Sequence, residues 1–93
     1  MKVFGCTMQG VYCGGVILVA ANDKEEAFLT ASKDTGIDYW FSWESEDGGW
    51  AEPFSQNAEL RSDYFPLDKW KEYTHLSSDY EKPTVILAEY HVE

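Results

Sequence analysis

Two cysteines and two histidines are the first candidates in this sequence for a nucleophile, a base or a metal ligand. Six residues separate Cys6 from Cys13, whereas a structural zinc site usually pairs cysteines about two to four residues apart. His75 and His91 have no second histidine at ligand spacing, so we predict no metal site and no cofactor. A nucleophilic Cys13 would need a histidine base, and the spacing supplies none. We expect two reduced thiols and no catalytic residue.

Acidic side chains near the middle of the chain are the second candidate for chemistry. Glu44, Glu46 and Asp47 lie close together, but a calcium loop spreads its oxygen ligands over about twelve residues and closes on a glutamate. That pattern is absent, as are the glycine patterns that bind phosphates and the serine elbow of hydrolases. We therefore interpret these carboxylates as part of a solvated turn and do not expect an enzyme.

The segment 39–54 holds three of the four tryptophans. Its Asp47-Gly48-Gly49 sequence predicts a tight hairpin turn, because such turns need residues with positive φ. With the turn at this place, Ser45 is expected to pair with Trp50. Strand alternation then puts two sets of side chains on opposite faces: Tyr39, Phe41, Trp43, Trp50 and Phe54 on one, Trp40 and Glu44 on the other.

Two interpretations of these aromatic rings stay open. Either all of them belong to the core, or some form an exposed patch rimmed by Glu44, Glu46, Asp47 and Glu52. Aromatic side chains often dominate binding interfaces, so an exposed patch would bind another macromolecule, with sugar rings as the alternative ligand.

The pattern of apolar and turn residues predicts the elements that position this segment. Strands are expected at residues 2–8, 16–20, in both arms of the hairpin (the second arm, 50–54, at an edge) and at 84–92 as a central strand. A main helix is expected at 23–35, with Asn22 as N-cap and Glu25 completing a capping box, and a short helix at 67–73. This predicts an α+β fold, a mainly antiparallel sheet of about five strands with one main helix packed on one face, in the order β-β-α-β-β-short α-β. We expect a single domain over residues 1–93.

The first two strands are expected to form a hairpin with one of two registers. A turn at Gln9 and Gly10 places Cys6 directly opposite Cys13, whereas a loop over the glycine-rich residues 10–15 removes that pairing.

Net charge is the most informative bulk property. Seventeen Asp and Glu residues against seven Lys and Arg residues give −10, which disfavours nucleic acid and anionic membranes, since binding to phosphates depends on cationic side chains. A basic protein is the favoured partner, because opposite potentials speed encounter; the alternative is that the charge serves solubility alone. No apolar run is long enough to span a membrane and no signal peptide is visible, so we expect a cytoplasmic protein.

In size, acidity and aromatic content the chain resembles small intracellular inhibitors, such as immunity proteins, antitoxins and phage-encoded blockers of host defence. The resemblance implies a non-enzymatic binding protein that inhibits a basic, nucleic-acid-processing protein. The predicted partner-binding residues are Trp40, Glu44, Glu46, Asp47, Trp50 and Glu52. The alternatives are an assembly subunit that forms a homodimer through an edge strand or aromatic patch, and a small thiol-dependent enzyme using Cys13.

Overall fold

A four-stranded antiparallel sheet with one helix on one of its faces forms the body of the protein in the computed structural model, which describes residues 1–92. In chain order the elements are β1 (Lys2–Thr7), β2 (Cys13–Ala21), α1 (Lys24–Ser32), a 3-10 turn (Asp38–Trp40), β3 (Ser42–Glu44), β4 (Glu59–Arg61), a second 3-10 turn (Leu67–Lys69), β5 (Lys71–Ser77) and β6 (Thr84–Val92). The strand order in the main sheet is β5-β1-β2-β6, and β3 pairs with β4 in a separate small sheet. The predicted α+β class is confirmed, with six strands among the described residues.

The hairpin of β1 and β2 is confirmed, and its register separates the two cysteines. Cys6 lies opposite Ile17, and the amide of Met8 donates to the carbonyl of Gly15 at 3.0 Å. The residues between the strands therefore form a loop. The register in which Cys6 faces Cys13 is wrong.

The N-cap of helix α1 lies one residue later than predicted. Asp23 is the N-cap, since its carboxylate accepts a hydrogen bond from the amide of Glu26 at 2.8 Å. The Glu26 carboxylate in turn accepts from the amide of Asn22 at 2.9 Å, so Glu26 takes the role that the pattern assigned to Glu25. The helix ends at Ser32, before the predicted residue 35. Its buried face consists of Ala27, Phe28 and Ala31, as the helical period predicts.

Strand β5 replaces the last three residues of the predicted second helix, 71–73. Only Leu67–Lys69 form a 3-10 turn, and from Lys71 the chain pairs with the free edge of β1. The ring of Tyr73 lies so close to Gly5 of β1 that a side chain there would collide with it. His75 lies in this strand. Tertiary pairing here overrides the local helix propensity.

Strand β6 is an edge strand, although its apolar sequence predicts a central one. It pairs with β2 alone, and the register shifts between Leu18 and Val19. Because of this shift, Val85 packs towards the core while Leu87 lies opposite Leu18 on the uncovered face. Ile86 and Leu87 are exposed.

An aromatic cluster fixes the rest of the chain to the helix side of the sheet. The ring of Phe28 lies 5.3 Å from that of Phe41 and 6.2 Å from that of Trp70, both edge-on. The rings of Phe41 and Phe65 stack at 6.3 Å, and the indole of Trp70 donates to the carbonyl of Phe65 at 2.9 Å. Such pairs contribute about 1 kcal/mol each beyond the burial of their surface. The segment that carries β3 and β4 therefore rests on a rigid base.

Candidate functional site

The residues predicted to bind a partner fall into an exposed group and a half-buried one. The exposed group consists of Glu46, Asp47, Trp50 and Glu52, and the half-buried group of Trp40 and Glu44. Trp50 is the aromatic residue of the exposed group, and 76% of its surface is accessible to solvent. The interpretation that all of the aromatic rings belong to the core is wrong, because Phe41 is buried while Tyr39 and Trp50 are both exposed.

Gly48 sets the geometry of the turn at the tip of β3. Its φ is +86°, and its amide donates to the carbonyl of Ser45 at 2.9 Å, while the amide of Ser45 donates to the carbonyl of Gly49 at 2.8 Å. This is a three-residue loop with a left-handed glycine at its end, an odd loop length that shifts the pairing by one residue. Glu44, and not Ser45, lies opposite Trp50.

The shifted register changes which side chains share a face. Trp50 lies on the same face as Glu44, so the expectation that Trp50 shares a face with Tyr39, Phe41 and Trp43 is wrong. Glu44 also lies opposite Glu59 of β4, and its carboxylate is 3.4 Å from Nε of Arg61. Trp50, Glu44, Glu59 and Arg61 thus form one charged and aromatic face of the small sheet, which we call the Trp50 face.

The opposite side of this sheet carries a second exposed ring. Trp43 packs on Phe54 with 4.8 Å between ring centroids, and 64% of Phe54 is exposed. The ammonium of Lys33 lies 5.5 Å from the Phe54 ring. The edge strand predicted over residues 50–54 is not formed, because only Trp50 makes a bridge and Phe54 has a φ of +62°.

Trp40 lies among three tyrosines that the sequence pattern did not connect. Its ring centroid is 4.8 Å from those of Tyr39 and Tyr64 and 5.6 Å from that of Tyr90. The hydroxyls of Tyr39 and Tyr90 share a hydrogen bond, which is the main reason why the pKa of Tyr39 is raised. Within residues 1–92, Nε1 of Trp40 is the one buried side-chain nitrogen or oxygen without a hydrogen-bond partner. The cluster joins a 3-10 turn, a loop and β6, so no local signal predicts it.

A cleft of about 240 Å³ lies between these rings and the Trp50 face. The residues that line it include Tyr39, Trp40, Glu44, Arg61, Asp63 and Tyr64. The hydroxyl of Ser62 fixes one wall, since it donates to the carbonyl of Trp40 at 2.7 Å and accepts from the amide of Phe65 at 3.0 Å. Glu44 and Arg61 belong both to the cleft and to the Trp50 face, so the two surfaces are continuous.

The thiols and imidazoles occupy separate places. Cys6 is buried, and burial raises its pKa to about 12, with the charge of Asp68 as the second cause. Cys13 packs against the core, whereas His91 lies over the adjacent Gly14. Successive strand residues point to opposite faces, so His91 is not placed to deprotonate Cys13. Residues 1–92 contain no group of three or more histidine, cysteine, aspartate or glutamate side chains that could hold a metal ion.

Comparisons with protein-family models, with curated proteins and with solved structures each returned no match. Among the described residues, no helix has the length and apolarity needed to cross a bilayer.

Proposed function

We propose that this protein is a non-enzymatic binding protein of the cytoplasm, and that its Trp50 face docks on a basic protein. The observation that carries the proposal is the exposure of Trp50 beside carboxylates. The indole of Trp50 is 76% exposed to solvent. Its burial in a partner would remove a large apolar area from water, as is typical of the residues that anchor an interface.

Carboxylates around this indole favour a cationic partner. Glu44 lies beside Trp50, while Glu46, Asp47 and Glu52 are exposed in the same turn and in the segment that follows it. The whole chain carries −10, so its field attracts a basic surface from a distance. An enzyme that binds nucleic acid has such a surface where it contacts phosphates. Occupying that surface would inhibit the enzyme.

The experiment compares partner capture by matched variants at low and high salt. The immobilised protein is exposed to a lysate of the source cells, and each captured protein is identified, purified and titrated by calorimetry. We expect basic partners, weaker binding at high salt, and a loss of about tenfold or more for Trp50→Ala. The double variant Glu46→Gln/Glu52→Gln should also weaken binding, and its affinity should decrease less steeply with salt concentration.

Two control variants carry the same chemical changes at a distant place. Tyr80→Ala removes another exposed ring, and Asp79→Asn/Glu81→Gln removes two exposed charges from the segment between β5 and β6. The proposal predicts that neither control changes the affinity. Partners that are not basic, salt-independent binding, equal effects of Trp50→Ala and Tyr80→Ala, or no captured protein at all would overturn it.

A second candidate function is assembly of copies of this chain through β6. This strand is nine residues long and pairs on one side only, and it exposes Ile86, Leu87 and Tyr90. Unpaired strand edges can recruit a second chain. The dependence on salt separates this candidate from the first, because copies of this chain repel one another whereas a basic partner is attracted.

A further inference from the structure

We infer that the cleft beside the Trp50 face receives a cationic side chain, an arginine or a lysine, of the basic partner. This inference rests on the proposed function, because it names the group through which the partner is anchored. The lining of the cleft combines the rings of Tyr39, Trp40 and Tyr64 with the carboxylates of Glu44 and Asp63.

Aromatic rings and carboxylates attract cations by different routes. The face of an indole or phenol ring attracts an ammonium or guanidinium group electrostatically, and a carboxylate adds charge-assisted hydrogen bonds. Tyr39 is 60% exposed and Trp40 is half-buried beside it, so part of the ring surface is open to a ligand. Asp63 is exposed and forms no ion pair with another described residue. The cleft therefore holds an unneutralised carboxylate next to aromatic surface.

Arg61 is the resident cation of the cleft. Its Nε lies 3.4 Å from the Glu44 carboxylate and its Nη2 3.3 Å from the Glu59 carboxylate. An incoming cation competes with Arg61 for Glu44 and is repelled by its charge, whereas an incoming anion would be attracted to Arg61. Removal of this guanidinium should therefore strengthen the binding of a cation and weaken the binding of an anion.

The test uses small probes and the indole N–H signals in nuclear magnetic resonance spectra. The probes are the methylamides of Nα-acetyl-arginine and Nα-acetyl-lysine, with the uncharged Nα-acetyl-citrulline methylamide as control. Because the chain has four tryptophans, the Trp40 signal can be assigned from a Trp40→Phe variant. We expect the cationic probes to shift the Trp40 signal in a saturable manner and citrulline to have no such effect.

Substitutions of exposed side chains show whether each one strengthens or weakens the binding of the arginine probe. Asp63→Asn and Tyr39→Ala should weaken binding of the arginine probe about threefold to tenfold, whereas Arg61→Gln should strengthen it. Tyr80→Ala, which removes an exposed ring that does not line the cleft, should leave it unchanged. Equal binding of citrulline, weaker binding by Arg61→Gln, or no saturable shift at tens of millimolar probe would overturn the inference.

The two proposals fail in different ways. If Trp50→Ala abolishes capture of a basic protein while the probes do not bind, the cleft inference is wrong and the proposed function stands. If the probes bind the cleft but no basic protein is captured, the proposed function is wrong and the cleft remains a cation site.

Discussion

Individual side chains in the turn decide how negative charge is presented to a partner. The carboxylate of Asp47 accepts hydrogen bonds from the hydroxyl of Ser45 and from the amide of Gly49. These bonds lower the pKa of Asp47, with the Ser45 hydroxyl as the largest cause. The charge at the tip of the turn is therefore both fixed in position and retained in mildly acidic solution.

Ser45→Ala should raise the pKa of Asp47 towards its usual value. A carboxylate whose pKa is lowered by folding stabilises the turn above the unfolded pKa, and this contribution is lost as pH falls through the folded pKa. The variant turn should thus loosen at a higher pH than the wild-type turn. The measurement is a titration of the Asp47 carboxyl carbon by nuclear magnetic resonance.

Ser55→Ala is the matched control for this titration. The Ser55 hydroxyl donates to the carbonyl of Glu52 at 2.7 Å and does not contact Asp47, so its removal should leave the pKa of Asp47 unchanged. An unchanged pKa in Ser45→Ala would show that the hydroxyl does not hold the carboxylate.

At the scale of elements, packing decides between local signals of equal strength. Asn22 and Asp23 are both good N-caps, and each has a glutamate three residues later, Glu25 or Glu26. The cap at Asp23 begins α1 so that Phe28 is directed into the aromatic cluster of the core. A sequence pattern that fits two frames equally cannot choose between them.

Asp23→Ala should destabilise the protein by about 1 kcal/mol, because the amide of Glu26 loses its acceptor. Asn22→Ala should have a smaller effect, since the exposed Asn22 side chain makes one solvent-exposed hydrogen bond, to the Glu26 carboxylate. The measurement is the midpoint of urea unfolding for both variants. A larger loss for Asn22→Ala than for Asp23→Ala would show that Asn22, the cap predicted in the sequence analysis, is the N-cap.

At the scale of the whole molecule, the charge of −10 gives the two candidate functions opposite dependences on salt. Copies of this chain repel one another, and salt screens that repulsion. Assembly through β6 should therefore increase with ionic strength, whereas binding to a basic protein should decrease.

Light scattering over a range of concentration and salt measures the first of these trends. If β6 mediates assembly, the mass should rise with salt and the rise should be abolished by Leu87→Lys, a change at an exposed position of the edge strand. Leu76→Lys on the other edge strand, β5, is the matched control. A constant monomer mass under all conditions would exclude the assembly subunit.

Sequence patterns alone determined those features that depend on short segments or on sums over the chain. The first hairpin, α1 with its buried Ala27 and Phe28, the strand near the end and the net charge all follow from residue types and their spacing. The left-handed glycine of the turn, Gly48, follows from the steric freedom of glycine.

Tertiary structure alone decided the faces and the neighbours. A three-residue loop places Trp50 opposite Glu44 and not opposite Ser45, and a shift of one residue reverses every side chain of a strand. The free edge of β1 turned a predicted helix into β5. The cleft likewise joins Trp40 and Tyr64 from separate segments, a proximity that no local pattern encodes.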